Sequence, residues 1–300
     1  MSKYIITGDW HLRKDVPVCR TGMTEEEWEE LQFNAVCVLL DSAEAFGASL
    51  LNTGDIFHKS QPYYGILNQL NYYLSNYSLK IMRKLAGNHD LPYHSWENVK
   101  NSAWEAVKCK ALSADFTGAF HYGTEPVDPD SEIIITHQLV FPDEKSRPMD
   151  HIGKTAEELS QEFPKAKWIF TGDYHRRFHV ETSNGCHVIN PGCLTRQVAD
   201  FDDYKPGYYL VNTEIGSVEW FEIGIDTEPL YTYHIEVAAE RNERIESFIE
   251  VLKDGAGSGK DKRKMPTFTE VLERKIANKN ISAKVRDIIA DISAKLRGDK

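Results

Sequence analysis

The chain has no uninterrupted apolar stretch of about 18 residues, so no segment is expected to cross a bilayer as a helix. Its opening, MSKYIITGDW, carries an apolar run too short for a secretory signal, and the run meets Asp9 at once; the expected location is the cytoplasm. Cysteine is sparse and odd in number. Cys19, Cys37, Cys109, Cys186 and Cys193 include no CxxC pair, which argues against a disulfide framework and against a thiolate zinc site, leaving reduced packing residues. No internal repeat is present. Basic charge is short as well, with 35 Lys and Arg against 46 Asp and Glu, a formal net charge of −11. Such a balance weakens non-specific binding to phosphate backbones. The deficit is uneven, however. Residues 253–300 hold 13 basic against 7 acidic side chains, whereas residues 1–252 hold 22 against 39. An acidic body therefore carries a basic tail, and cations held by the body's carboxylates would reverse the local sign.

With 300 residues, 41% of them hydrophobic, the chain can build one large core with an appendage, or two domains. Short apolar runs recur and stop at the same kind of polar residue: YIITGD (4–9), SLLNTGD (49–55), the segment ending in LAGNHD (85–90), IIITHQ (133–138) and WIFTGDYH (168–175). Each has the length and composition of a buried strand. A helix is expected from Thr24 to Phe46, opened by a Thr24/Glu27 capping box, and another over 61–77. Alternating strands and helices make the fold class α/β, with ligand groups at the carboxyl ends of strands. Beyond about residue 186 the pattern turns β-rich in CHVINPG, GYYLVNT and SVEWFEI. The domain plan is a body over 1–225, a reduced α/β segment over 226–252, a linker over 253–266 and amphipathic helices over 267–300.

The strand-end groups are Asp9 with His11, Asp55, Asn88 with His89 and Asp90, His137, and Asp173 with His175. This is a pool of oxygen and imidazole donors without sulfur, suited to Mn²⁺, Mg²⁺ or iron rather than to a closed structural zinc. Hydrolysis of a phosphate ester needs charge neutralisation and an activated water, and two cations about 3.5–4 Å apart provide both. Asp55 is the candidate bridge. Asp9, His11 and His175 complete one shell, and Asn88, His137 and Asp173 the other. His89 is the candidate general acid, with Asp90 either orienting its ring or capping the turn. Each residue also has an ordinary reading alone: Asp after Gly caps turns, and His137 behind three isoleucines could be a satisfied core histidine. Arg13, Arg176, Arg177 and Arg196 lie near strand ends, where a phosphodiester backbone would pass. His179 is close enough after His175 to line the site, while His58, His94, His121, His151, His187 and His234 are left as surface or core residues.

As a set, GDWH, GDIF, GNHD, THQ and GDYH resemble the five motifs of the calcineurin-like metallophosphoesterases, in order over residues 8–175. The resemblance implies a sandwich of two mixed β-sheets flanked by helices, Asn88 as a metal ligand and His89 as the catalytic histidine. GDWHLR and INPGCLTRQ (189–197) are similar to stretches of the SbcD and meiotic-recombination-eleven DNA repair nucleases, with Cys193 where serine is usual. That likeness implies a DNA substrate, a homodimer formed through the helix bearing Tyr63, Tyr64, Tyr72, Tyr73 and Tyr77, and a hairpin over 267–300 that docks on an SMC-like ATPase subunit. The short cap is similar to a phage-encoded form. The alternative is a phosphoprotein phosphatase or small-molecule phosphodiesterase of the same superfamily. One departure stands out: the family's last motif reads GHxH, and here Asp173 supplies a carboxylate in place of an imidazole. The exchange hardens the site and predicts two Mn²⁺ or Mg²⁺ ions in preference to Zn²⁺.

Overall fold

Neighbouring residues on one strand face opposite ways, and here the opposite ways are two different cores. Ile5 and Leu50 pack under helices, whereas Ile6 and Leu51, one position on, pack against a second sheet. Both sides of the strands are therefore apolar, and the runs read as continuous rather than alternating.

A computed structural model describes residues 3–77, 82–148 and 152–232, all within the unit Met1–Glu236. Strand β1 (Lys3–Thr7) leads through helix α1 (Glu25–Phe46) to β2 (Ser49–Asn52), and helix α2 (Tyr64–Ser75) leads to β3 (Met82–Lys84). Short 3-10 turns surround β4 (Lys110–Ala111) and precede β5 (Ala119–Phe120) and β6 (Ile133–Thr136). Strands β7 (Val140–Phe141) and β8 (Lys154–Thr155) form a small ladder before α3 (Ala156–Glu162) and β9 (Trp168–Phe170). The chain closes with β10 (Phe178–Glu181), β11 (His187–Asn190), β12 (Gly207–Asn212) and β13 (Ser217–Glu222).

One sheet has the order β13-β12-β1-β2-β3-β4 and the other β10-β11-β9-β6-β5. Both are mixed: β1 to β4 run parallel while β12 pairs antiparallel with β1 and β13 antiparallel with β12, and β5, β6, β9 and β11 run parallel with β10 antiparallel to β11. Ile6, Leu51 and Leu85 of the first sheet meet Ile135, Phe170 and Ile189 of the second. Helices α1 and α2 cover the outer face of the first sheet, and α3 covers the second through Ala156 and Leu159 against Ile134, Ile169 and Val188. The body is thus a mixed α/β sandwich of two multi-stranded sheets flanked by helices.

Local signals explain the helix limits. Thr24 accepts from the Glu27 N–H while the Glu27 carboxylate accepts from the Thr24 N–H at 2.8 Å, and Gly47 closes α1 in the left-handed region at φ 57°. Val36, Leu39, Leu40 and Ala43 are its buried stripe. An unanticipated second capping box, Thr155 with Glu158, starts α3. The tyrosines divide: Tyr73 stacks on Phe33 and Tyr77 donates to Asp41, but Tyr63, Tyr64 and Tyr72 are exposed. Among the described residues, no helix is long and apolar enough to cross a membrane. Residues 233–300, with most of the expected cap, the linker and the hairpin, lie outside the described residues.

Candidate metal centre

Because β1, β2 and β3 run parallel, as do β6 and β9, each strand delivers the loop after it to one edge of its sheet. Asp9, Asp55 and Asn88 leave the first sheet, and His137 and Asp173 leave the second. The two edges meet. Asp9 Oδ1 accepts from the Asp173 N–H at 3.1 Å, and the His137 Nδ1–H donates to the Thr53 carbonyl at 2.9 Å. The loops after β1 and β2 continue together, His11 N–H donating to the Asp55 carbonyl at 2.9 Å.

The backbone is strained where the candidate ligands sit. Asp9 (φ 47°), His11 (φ 45°), Asp55 (φ 53°) and Asp173 (φ 74°) occupy the left-handed region, four of the six non-glycine residues that do so among the described residues. Such conformations cost on the order of 1 kcal/mol or more each and cluster at functional sites. The glycines before them have a packing cause. A Cβ on Gly54 would strike the His137 ring, and one on Gly87 would strike the Asp55 carboxylate. Only glycine lets these loops approach so closely.

The side chains form one connected cluster. Asp55 Oδ2 lies 3.6 Å from His11 Nε2 and 3.4 Å from His137 Nε2. His137 Nε2 is 3.1 Å from Asn88 Oδ1 and 3.9 Å from Asp173 Oδ1. His11 Nε2 is 3.0 Å from His175 Nε2. Asp9 offers an oxygen to both sides: Asp9, His11 and His175 can share an ion, as can Asp9, Asp55 and His137. All seven residues read as ligands in the sequence are thus brought together, with Asp9 adjoining both groups rather than one.

These groups fit divalent cations on a specific ground. Asp9 Oδ2 and Asp55 Oδ2 are buried without a hydrogen-bond partner, a costly state unless something neutralises them. Among the described residues no Arg or Lys pairs with Asp9 or Asp55, and the ion-pair partners of Asp55 are the His11 and His137 imidazoles. Burial pushes the Asp9 carboxyl up to about 6, His175 and His137 opposing and Asp55 and Asp173 reinforcing. For Asp55, burial acts upward too, but His137, His11 and His89 outweigh it and hold the carboxyl below its ordinary range. Burial alone would lower His137; the Asp55, Asp9 and Asp173 carboxylates instead raise it to about 10. Without metal, a proton on His137 serves as the cation. Because the Thr53 carbonyl can only accept, the His137 Nδ1 keeps its hydrogen, and loss of the other proton frees a lone pair on Nε2 for a metal.

His89 and Asp90 separate in role. The Asp90 carboxylate is fully buried and accepts from the N–H groups of Ile56 at 3.2 Å, Phe57 at 3.0 Å and Gly87 at 3.1 Å. It caps the turn that carries Asn88, the second of the two roles open to it in the sequence, and among the described residues no hydrogen bond joins it to the His89 ring. Burial lifts its carboxyl to about 7, with the Asp55 charge adding. His89 Nδ1–H donates instead to the His58 carbonyl at 2.9 Å, and its own N–H donates to Asp55 Oδ1 at 2.9 Å. The His58 ring stacks on His89, centroids 5.6 Å apart. His58 was passed over in the sequence, although its place three residues after Asp55 in GDIFH was the available signal. The cleft between these rings has a volume of about 110 Å³ and is lined by His11, Arg13, His58, His89, His175 and Phe201.

The cationic residues fare differently. Arg196 is 3% exposed, its guanidinium bound to Asp226, the Asp202 carbonyl and the Glu228 carbonyl, so it cannot meet a phosphodiester; that expectation is corrected. Its segment nevertheless backs the site, with Cys193 N–H donating to the His175 carbonyl at 3.0 Å and Leu194 N–H to the Asp9 carbonyl at 3.2 Å. Arg176 donates to the Asp200 carbonyl at 2.6 Å and lies over Phe201, and Arg177 donates to the Lys205 carbonyl at 3.2 Å and lies over Trp220. Arg13 lines the cleft while paired with Asp15. His179 is exposed beside His187 on β10, away from the cluster. His121 is a core histidine, accepting from the Ala86 N–H at 3.1 Å and stacked on Trp96. All five cysteines are free thiols.

No known protein family matches the chain, and no curated protein sequence matches it. Among solved structures, the chain is similar to a novel archaeal phosphodiesterase at 15% identity, over 73% of this chain and 99% of that one, with a TM-score of 0.38. It is also similar to a hypothetical protein of Pyrococcus horikoshii OT3 (13% identity, 81% and 94% covered, TM-score 0.42). A third similar structure is a single mutant of Vps29 from Entamoeba histolytica (15% identity, 73% and 97% covered, TM-score 0.38).

Proposed function

We propose that the protein hydrolyses phosphodiesters with two divalent cations, and that DNA is the substrate, cut as the nuclease partner of an SMC-like ATPase subunit. One observation carries the chemistry: Asp55 Oδ2 is buried, unpartnered and set between the His11 and His137 imidazoles, 3.6 and 3.4 Å away. Asp55 would bridge both ions, Asp9, His11 and His175 holding one and Asn88, His137 and Asp173 the other. When bound, the pair neutralises charge on the phosphoryl oxygens and makes the attacking water more acidic. His89, its Nδ1–H fixed on the His58 carbonyl, uses Nε2 to protonate the leaving oxygen. The Asp90 cap and the left-handed loops hold these groups in place before substrate arrives. The oxygen-rich ligand set, Asp173 included, supports Mn²⁺ or Mg²⁺.

The DNA substrate and the ATPase partner rest on the GDWHLR and INPGCLTRQ stretches and on the basic tail over 253–300. The exposed Tyr63, Tyr64 and Tyr72 on or beside α2 support self-association through that helix. A second reading, a small-molecule phosphodiester, is favoured by the narrow cleft and by arginines whose guanidinium groups are committed to carbonyls and rings. Incubation with labelled duplex DNA and with bis-p-nitrophenyl phosphate, both in Mn²⁺, separates the two. Cleavage of DNA is expected; brisk ester hydrolysis beside intact DNA would select the second reading. His89→Ala is expected to lower turnover by about a hundredfold or more while bound Mn²⁺ is retained. An unaltered rate would remove the assigned acid.

A further inference from the structure

The cleft beside His89 is too small to hold a whole phosphodiester. Its volume is about 110 Å³, whereas pockets that take small organic ligands run roughly 300–1,000 Å³. A groove of about 600 Å³ adjoins it, and Arg13, Gln197 and Val198 line both. The groove therefore begins where the cleft ends. It is formed by the chain over Asp15–Cys19 and over Gln197–Asp200, and both segments are anchored. Cys19 and Ala199 are buried in a small core with Cys193, Phe201 and Tyr204, and the Arg20 N–H donates to the Pro17 carbonyl at 2.9 Å. The Gln197 amide donates to the Trp10 and His11 carbonyls, each at 3.3 Å, which ties the groove to a candidate ligand. Val18 is 77% exposed and Val198 44%. Either alone would be ordinary surface, but both line one concavity that opens on the cleft. Charge then decides what suits it. Among the described lining residues Arg13 is the one cation and is paired with Asp15, while Asp200 adds a second carboxylate. A further phosphate would meet net negative charge, and an uncharged group would not.

We propose that this groove is a substrate subsite that takes one uncharged, mainly apolar arm of the diester, a single nucleoside or an aryl group, while the phosphorus lies in the adjoining cleft. The proposal rests on the reading of that cleft as the place of cleavage. Its physical content is a division of tasks: the cleft holds the phosphate, and the groove selects the organic group attached to it. A planar ring against Val18 and Val198 removes apolar surface from water, and an arm bearing a second phosphate is repelled by Asp15 and Asp200. A nucleoside inside a polynucleotide strand carries such a phosphate; one at a strand end or in a small diester does not.

The test uses the full chain loaded with Mn²⁺ and three diesters free of aryl groups: dimethyl phosphate, methyl thymidine 5′-phosphate, and the latter with a further 3′-phosphate. Each is measured as a competitive inhibitor of bis-p-nitrophenyl phosphate hydrolysis. In wild type the inhibition constant of the thymidine ester is expected to lie about tenfold or more below that of dimethyl phosphate, and the 3′-phosphate to raise it about fivefold or more. Val18→Asp, at a surface position where the urea midpoint is expected to stay in place, should remove most of the gap between the first two esters, and Val18→Leu should keep it. Equal constants for those two esters in wild type, or a full gap in Val18→Asp, would overturn the subsite. A lower constant for the 3′-phosphorylated ester would overturn the uncharged arm. If bis-p-nitrophenyl phosphate is not hydrolysed, the cleavage reading fails by itself, and the dissociation constants of the same three esters, read by titration calorimetry, decide the groove on the same comparisons.

Discussion

Two buried carboxylates in this molecule are treated in opposite ways. Asp226 has 1% of its side chain exposed and is gripped by Arg20 and by Arg196, whose backbone N–H also donates to it at 2.7 Å. Asp55 is equally buried, but an oxygen lacks any hydrogen bond, and its only opposite charges are imidazoles that gain and lose protons. A carboxylate neutralised by fixed guanidinium groups is part of the scaffold. One neutralised only by titratable rings can exchange its proton for a metal. The contrast, more than burial itself, separates a structural anion from a functional one.

Exchanging the charge at each centre should give opposite results. Asp55→Asn removes the bridging oxygen and is expected to lower Mn²⁺-dependent hydrolysis by about 10,000-fold, roughly 5.5 kcal/mol of barrier, with bound Mn²⁺ falling in parallel. Retention of both ions by this variant would dissolve the contrast. Asp226→Asn leaves two buried guanidinium groups without their anion and is expected to cost about 3–5 kcal/mol of stability in urea unfolding, with Mn²⁺ content per folded chain unchanged. A loss of metal without a loss of stability would reverse the two roles.

A third buried group sharpens the comparison, because it is kept neutral. Burial lowers His121 to about 4, and the Lys84 charge adds to this. The unfolded chain therefore binds a proton that the folded chain refuses. Stability from this residue is complete above the ordinary histidine value of about 6.5 and is lost as pH falls through that value toward 4. Between pH 6.5 and 5 the expected loss is about 2 kcal/mol, and it should be absent in His121→Gln, as read from urea midpoints against pH. An identical slope in the variant would assign the effect to other groups.

Much of the site could be read directly because strand ends are local signals. A β-run followed by Gly-Asp or Gly-Asn marks both the strand and the loop after it, and the glycine is required for the close approach of Gly54 to His137 and of Gly87 to Asp55. The Thr24 and Thr155 capping boxes are equally local, although the second lies in a stretch whose helix is too short, at seven residues, to show a clear period. Arg196 misled for a physical reason. A charged residue near a strand end looks the same whether its partner is a phosphate or a carboxylate 30 positions away, as Asp226 is from Arg196. His58 was missed because its value lies in the facing ring of His89, 31 positions on. Exposure of Tyr63, Tyr64 and Tyr72 depends on which face of α2 meets the sheet, and Ile66, Leu70 and Leu74 take that face.

The amino-acid order alone determined the strand and helix alternation, the kinds of donor available and their placement just beyond strand ends, because period, capping and glycine placement act over a few residues. Only the packed sheets decided that His11 and His175, 164 positions apart, face each other at 3.0 Å, that Asp55 Oδ2 loses every hydrogen bond, and that Arg196 turns inward to Asp226. Those outcomes depend on which groups exclude water from one another, and that exclusion exists only after the two sheets have closed.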